Sequence, residues 1–149
     1  MQYIKLNDLC NIERVKYFND GLNNNFQLND ICMNSIGNIG KCVIITDENI
    51  NLLFSKNVIR LTNFNNIINH KYLYHILSSN SYYEQIKILT IGNVMLKLDL
   101  INLRELEIPV PTLEQQERII NLIENNRRLI DELNINNIEN LINNIENLL

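Results

Sequence analysis

The sequence predicts an α+β fold, in which a compact mixed-sheet domain (residues 1–111) precedes a long helix of the coiled-coil type (residues 112–149). Three observations predict it. β-branched and apolar runs, such as CVIIT at 42–46, alternate with Gly-bearing turns in the first part of the chain. Both prolines, Pro109 and Pro111, stand directly before a segment with helical spacing of Ile and Leu. The last part contains an exact heptad repeat, INNIENL, at 135–141 and 142–148.

The first half of the chain is predicted to form strands and turns. Residues 3–12 indicate a short strand or turn that enters a helix, and residues 15–29, which contain GLNNN, indicate a loop. Residues 28–46 predict a strand, a turn with Gly37 and Gly40, and a second strand, so that Cys32 and Cys42 are expected across a hairpin. After a turn at 47–49, the segments NLLFS and NVIRLT continue the sheet.

The second half of the domain combines helices with extended segments. Asn69 is expected to cap a helix through HKYLYHILSS, and SYYEQIKIL predicts a second helical piece. TIGN at 90–93 is expected to be a loop, LKLDL a strand-like segment, and LRELEIPVP an extended strand.

The two prolines define the joint between the domain and the helix. Proline fixes its own φ and favours an extended conformation in the residue before it, so P-V-P is a stiff extended segment. Thr112 and Gln115 then have the spacing of a capping box, and Glu114 and Glu117 lie where the helix dipole favours acidic groups. The sequence therefore predicts a joint that fixes the direction of the helix.

The helix needs a partner surface. Ten Asn lie in residues 112–149, and together they cost roughly 5–7 kcal/mol of helix propensity relative to Ala. Only burial of the apolar stripe can offset this cost, either against the domain itself or, as we expect, against the helix of a second copy. The upstream and downstream parts of the stripe differ in phase, so the helix is either straight with a drifting stripe or broken at 134–137. The predicted pairing residues are Ile119, Ile123, Ile130, Leu133, Ile138, Leu141, Ile145 and Leu148.

Composition and charge limit the class of protein. The three cysteines show no CxxC spacing, which favours reduced, buried thiols and a cytoplasmic protein. No apolar run approaches the length of a membrane span, and the N-terminus lacks the apolar core of a signal peptide, so no membrane association is expected. The net charge of −4 lies entirely in residues 114–149, because residues 1–113 carry ten basic and ten acidic residues. Any contact with nucleic acid would therefore depend on local basic points.

No catalytic or metal-binding motif is present in the sequence. His70 and His75 do not have the spacing of metal ligands on a helix, and SIGNIGK lacks the spacing of a P-loop. We therefore expect no enzyme activity, no cofactor and no metal.

The turn at 34–41 is the first candidate for a DNA contact. Its two glycines would let backbone amides approach a phosphate, while Ser35, Asn38 and Lys41 offer further donors. The alternative is a plain hairpin turn. Other candidates could equally be ordinary surface residues. The full set of candidate DNA-binding residues is Ser35, Asn38, Lys41, Arg60, Lys71, Asn93 and Lys97.

The order of motifs resembles that of a known family. IPVPTLEQQERI is similar to the Ile-Pro-x-Pro-Pro-Leu-x-Glu-Gln-x-x-Ile motif of Type I restriction–modification specificity (S) subunits, with Thr112 in place of the second Pro of the pair and Gln115 in place of Glu. TIGNVMLKLDL, LNDICMNSIGNIGK, KYLYHILSS and IKLNDLCNI resemble other segments of the same family, with Asn29 at a usual Gly position. Nearly the whole chain is covered by the resemblance.

The resemblance implies a non-catalytic DNA-recognition module with one recognition domain and one helix, a half subunit. It implies double-stranded DNA, a second copy of the chain and methyltransferase subunits as partners, with antiparallel pairing of the helices. Only residues 13–27 stand where the family has some tens of residues. The alternative is therefore a dimeric scaffold protein that kept the fold and lost sequence-specific DNA binding.

Overall fold

The computed structural model describes residues 2–15, 26–50 and 58–133, with side chains described as far as Arg127. Strands and helices alternate along the chain, and their bounds in order are β1 (Gln2–Lys5), α1 (Leu6–Leu9), β2 (Asn11–Val15), β3 (Ile31–Asn34), β4 (Cys42–Ile44), β5 (Val58–Thr62), α2 (His70–Ser78), α3 (Asn80–Lys87), β6 (Thr90–Ile91), β7 (Lys97–Leu98), α4 (Leu100–Arg104), β8 (Glu107–Val110) and α5 (Leu113–Leu133). The predicted α+β class is confirmed.

The main sheet is antiparallel, with the strand order β2-β5-β3-β4. Alternate residues of a strand point to opposite faces, and accordingly Ile31 and Met33 enter the larger apolar core while Cys32 joins a smaller cluster with Val58. All five residues of the inner strand β5 are buried. The predicted strand–turn–strand at 28–46 is confirmed.

The three cysteines are free and buried, as predicted. Cys42 lies opposite Met33 in the hairpin, whereas Cys32 lies opposite Val43, so the expected Cys32–Cys42 cross-strand pair is wrong by one residue. Burial raises the pKa of each thiol to about 12, which leaves all three protonated and weakly reactive at neutral pH.

The helices cover one side of the sheet. Asn69 caps α2 by accepting a hydrogen bond from the amide of Lys71 at 2.8 Å, as predicted, and Ser79 caps α3 in the same way. Helix α2 contacts β4, α3 and α5. Its buried Tyr72 donates a hydrogen bond to the carbonyl of Pro109 at 2.6 Å, which ties the helix layer to β8.

The second sheet holds the proline joint. Strand β8 pairs with β1 in a two-stranded antiparallel sheet, in which Pro109 lies opposite Tyr3. A proline is tolerated there because an edge strand can spare an amide donor. The capping box is confirmed: the Gln115 amide donates to Thr112 Oγ1 at 3.2 Å, and the Thr112 amide donates to Gln115 Oε1 at 3.1 Å.

Two predictions about secondary structure are wrong. TIGN at 90–93, expected to be a loop, begins with the strand β6, which pairs with β7. LRELEIPVP, expected to be an extended strand from its first residue, begins inside the short helix α4, and the strand starts only at Glu107. Asp99 starts this helix by accepting from the Ile101 amide at 3.1 Å, and Leu103 anchors it in the core. The segment NLLFS lies outside the described residues.

The predicted pairing stripe on the long helix divides into three parts. Ile123 is buried within the single chain and Ile119 packs against its core, so the domain itself covers these two side chains without a second copy. Ile130 and Leu133 belong to α5, but their side chains lie outside the described part. Ile138, Leu141, Ile145 and Leu148 lie beyond the described residues. Among the residues described, no helix combines the length and the apolar character needed to cross a bilayer.

Candidate nucleic-acid interface

The turn at 34–41 is a tight connection between β3 and β4. The Asn34 amide donates to the Lys41 carbonyl and the Gly40 amide donates to the Asn34 carbonyl, each at 2.9 Å. Gly37 and Gly40 have φ of 79° and 88°, a region that favours glycine. A Cβ on Gly40 would approach Ile86 Cγ2 to 2.9 Å, whereas one on Gly37 would meet nothing within 4 Å. Gly40 therefore serves the packing of the turn on α3, and only Gly37 faces open space.

Ser35 has an internal position rather than the predicted surface position. Its side chain is fully buried, and its hydroxyl accepts a hydrogen bond from Arg14 Nη1 at 2.8 Å. Its carbonyl accepts from the amide of Leu98 at 2.9 Å. A second nitrogen of Arg14 donates to the Leu98 carbonyl. Ser35 thus fastens the turn to the end of β7 and is not available to a phosphate.

Arg60 is also internal. It lies on β5 with only 8% of its surface exposed, and its Nε lies 3.1 Å from Asp30 Oδ2 and 3.5 Å from Glu13 Oε1. Asp30 is itself buried. If Arg60 turned outward to bind a phosphate, the buried charge of Asp30 would lose its partner, which is costly. Arg60 is therefore held in the interior. The prediction that it contacts DNA does not fit this position.

Lys71 is exposed on the first turn of α2, beside the start of α5. Its neighbour Asn69 donates its backbone amide to the side chain of Gln116 at 2.8 Å. In the same region His75 is buried, with Nε2 3.8 Å from Glu124 Oε1. Both contacts join α2 and the residue before it to α5, so Lys71 lies beside the α2–α5 contact and not at the turn.

The remaining candidates lie on two adjacent segments. Asn38 and Lys41 are exposed on the turn, and Asn93 and Lys97 are exposed on the hairpin of β6 and β7. The hairpin pairs Thr90 with Leu98 and Ile91 with Lys97. The hydrogen bond from the Leu98 amide to the Ser35 carbonyl holds the two segments side by side. The structure therefore brings four of the seven candidates into one part of the surface.

This part of the surface contains few acidic groups. Residues 34–45 and 85–98 include no Asp or Glu. Asp30 and Asp47 flank the first segment in sequence, and Asp30 pairs with Arg60 at 3.1 Å. Glu84 and Asp99 flank the second segment; Glu84 pairs with Lys87 at 2.9 Å, and the carboxylate of Asp99 caps α4. Lys41 and Lys97 take part in no ion pair among the described residues. The surface is therefore locally positive in a chain of net charge −4.

The exposed apolar side chains of the same hairpin were not predicted from the sequence. Val94, Met95 and Leu96 are exposed at its tip, with Ile91 and Ile88 exposed beside it. The available signal was the run VML beside Gly92, because a strand with one buried face would have alternated with polar residues. In the ranges 2–15, 26–50 and 58–133, no three His, Cys, Asp or Glu side chains are arranged to hold a metal ion.

The motif order, the domain of mixed sheets and helices and the capped helix at its end agree with one family. Residues 1–147 match the family described as the Type I restriction modification DNA specificity domain. The chain belongs to this family. No curated protein sequence matches it.

Solved structures of the family share the fold of this specificity domain. An S subunit of a Type I restriction-modification system from M. genitalium aligns with a TM-score of 0.63 at 20% identity over 88% of this chain. The HsdS subunit from Thermoanaerobacter tengcongensis aligns with 0.65 at 13% identity over 97%. A chain from a type I R-M system, in a structure describing complex assembly and conformational transition, aligns with 0.68 at 13% identity over 99%. The chain spans 42–44% of the length of these proteins.

Proposed function

We propose that this specificity domain is a non-catalytic DNA-recognition module of a Type I restriction–modification-like system. In this proposal residues 1–111 form the recognition domain and residues 112–149 form a helix that pairs with a second copy. The paired module binds double-stranded DNA and docks methyltransferase subunits, which carry out the methyl transfer.

The observation that carries the proposal is the locally positive surface of the turn and the β6–β7 hairpin. Phosphate contacts supply most of the affinity of a DNA-binding protein, and lysines without acidic partners are suited to them. Lys41 and Lys97 meet this condition, and Asn38 and Asn93 add neutral donors on the same segments. Membership of the DNA specificity family supports the same reading.

The test is duplex binding by a variant that lacks both lysines. Lys41→Ala with Lys97→Ala should weaken binding to several duplex sequences alike, because phosphate contacts position the protein without reading bases. The slope of log affinity against log salt concentration should fall by about 2, roughly one for each lost contact.

The matched control removes two charges that already have acidic partners. Lys5 pairs with Glu105 and Arg118 pairs with Glu114, both at 2.7 Å. Lys5→Ala with Arg118→Ala should leave the salt slope nearly unchanged. Equal slopes for wild type and the Lys41/Lys97 variant would remove both lysines from the interface. Lys71→Ala, measured separately, tests whether the helix joint also contacts DNA.

The alternative is a dimeric scaffold protein that kept the fold but lost DNA binding. The acidic segment 114–149 and the internal roles of Ser35 and Arg60 favour it. Absence of duplex binding at low salt, both for the protein alone and with a methyltransferase subunit present, would select this alternative.

A further inference from the structure

The tip of the β6–β7 hairpin carries an unusual concentration of exposed apolar side chains. Val94 is fully exposed, Met95 is 67% exposed and Leu96 is 51% exposed. Ile88 and Ile91, on the same segment, are 78% and 47% exposed. Single exposed apolar residues are common, but a contiguous group marks a surface that contacts another molecule.

The tip is held in place by its base. Gly92 has φ of 114°, and a Cβ there would lie 2.5 Å from the carbonyl oxygen of Met95, so the loop closes too tightly for any other residue. Below it, the Leu98 amide donates to the Ser35 carbonyl, and Arg14 donates to the Leu98 carbonyl. The apolar side chains therefore project from a braced hairpin.

The charges around the tip favour a polyanion as its partner. Lys97 follows the tip directly, Lys41 lies on the adjacent turn, and both segments lack acidic residues. An apolar group that is flanked by lysines and neutral amides matches the DNA duplex, whose phosphates border grooves with apolar base faces and edges. Proteins that deform DNA insert Leu, Met, Ile or Phe side chains between base steps in this way.

We propose that residues 94–96 form a wedge that enters a groove of double-stranded DNA and contacts the bases of one step. Lys41 and Lys97 hold the phosphates on either side of it. This inference rests on the proposed function, because it requires that the module bind DNA, and it assigns the apolar tip a role that the lysines do not have.

The wedge and the lysines predict different salt dependence. Replacing all three tip residues by Ser (Val94→Ser, Met95→Ser, Leu96→Ser) should weaken duplex binding about tenfold or more. The salt slope should stay unchanged, because no phosphate contact is removed. The wild-type protein should raise the fluorescence of 2-aminopurine placed throughout a duplex, as unstacking of a step requires, and the triple variant should not.

Two further variants test the assignment. Gly92→Ala displaces the tip without changing its hydrophobicity or charge, and it should reproduce the loss of affinity. Ile67→Ser with Leu122→Ser removes apolar side chains that are 41% and 39% exposed elsewhere on the protein, and it should bind DNA as wild type does. Circular dichroism verifies that each variant is folded.

The outcomes separate this inference from the proposed function. Duplex binding by wild type and by the triple variant with equal affinity would overturn the wedge and leave the DNA-recognition proposal intact. The same result with a loss of self-association or methyltransferase binding would assign the tip to a protein partner instead. Absence of duplex binding by the wild type would overturn both proposals.

Discussion

Gln116 shows how one side chain fixes the long helix to the domain. It is fully buried, and its Oε1 accepts from the Asn69 amide at 2.8 Å. Its Nε2 donates to the carbonyls of Ile67 and Pro111, both at 2.9 Å. One side-chain amide thus joins the loop before α2, the proline joint and the first turn of α5. Only Asn has the same amide group, with two donor hydrogens and an acceptor oxygen, and its side chain is shorter.

Gln116→Ala should therefore destabilise the protein by about 1–3 kcal/mol, because it leaves three partly buried backbone groups without their side-chain partner. Gln115→Ala is the matched control. Gln115 is exposed and contributes only to the capping box, so its loss should cost about 1 kcal/mol or less. Urea denaturation of both variants measures the difference. Equal free energies of unfolding for the two variants would show that the hydrogen bonds of Gln116 stabilise the protein no more than the capping box does.

At the scale of elements, the contact of α2 with α5 contains a buried histidine. Burial lowers the pKa of His75, and the positive charge of Arg127 lowers it further, while Glu124 opposes the shift. Lys71 on α2 also faces it, and the Tyr74 ring lies 5.2 Å from the imidazole. No hydrogen-bond partner for Nδ1 is found in the described part of the chain. These surroundings favour the neutral form of the imidazole.

This contact predicts a dependence of stability on pH. The unfolded state, with an ordinary histidine pKa of 6.5, binds a proton more readily than the folded state, so the stabilisation is complete above that pH and is lost as pH falls below it. Denaturation midpoints of wild type and His75→Leu at pH 8 and pH 5.5 measure the effect. The wild type should lose more stability on acidification than the variant. Parallel losses would assign the pH dependence to other groups, such as half-buried His70.

At the scale of the whole molecule, the proposed pairing concerns the apolar residues that follow the described side chains of α5. The domain itself covers Ile120 and Ile123, so the proposed self-association would depend on residues further along. Burial of one Ile or Leu side chain contributes about 1.5–3 kcal/mol, which is the scale needed to offset the Asn-rich composition.

Ile130→Asp with Leu141→Asp should convert a dimer into a monomer with reduced helix content and an intact domain. Sedimentation measures the association state, and circular dichroism measures the helix. A wild type that is monomeric at micromolar concentration with full helix content would contradict the pairing proposal. Ile119→Ala is a useful contrast, because its half-buried side chain packs on the domain and should affect stability rather than association.

The sequence by itself determined the features that depend on neighbours along the chain. The strand–turn–strand with Gly37 and Gly40, the Asn69 cap and the Thr112 capping box were all predictable, since each depends on residues a few positions apart. The order of such motifs also predicted the family. The short helix α4 was missed because a five-residue segment has too few residues to distinguish a helical period from a strand.

Only the tertiary structure decided which polar side chains are internal. Arg60 and Ser35 resemble surface residues in the sequence, yet Asp30 and Arg14, from distant parts of the chain, hold them in the interior. The same packing exposes Val94 and Met95, which an apolar scale would assign to a core. Burial depends on which segments meet across the fold, and local sequence does not specify those long-range contacts.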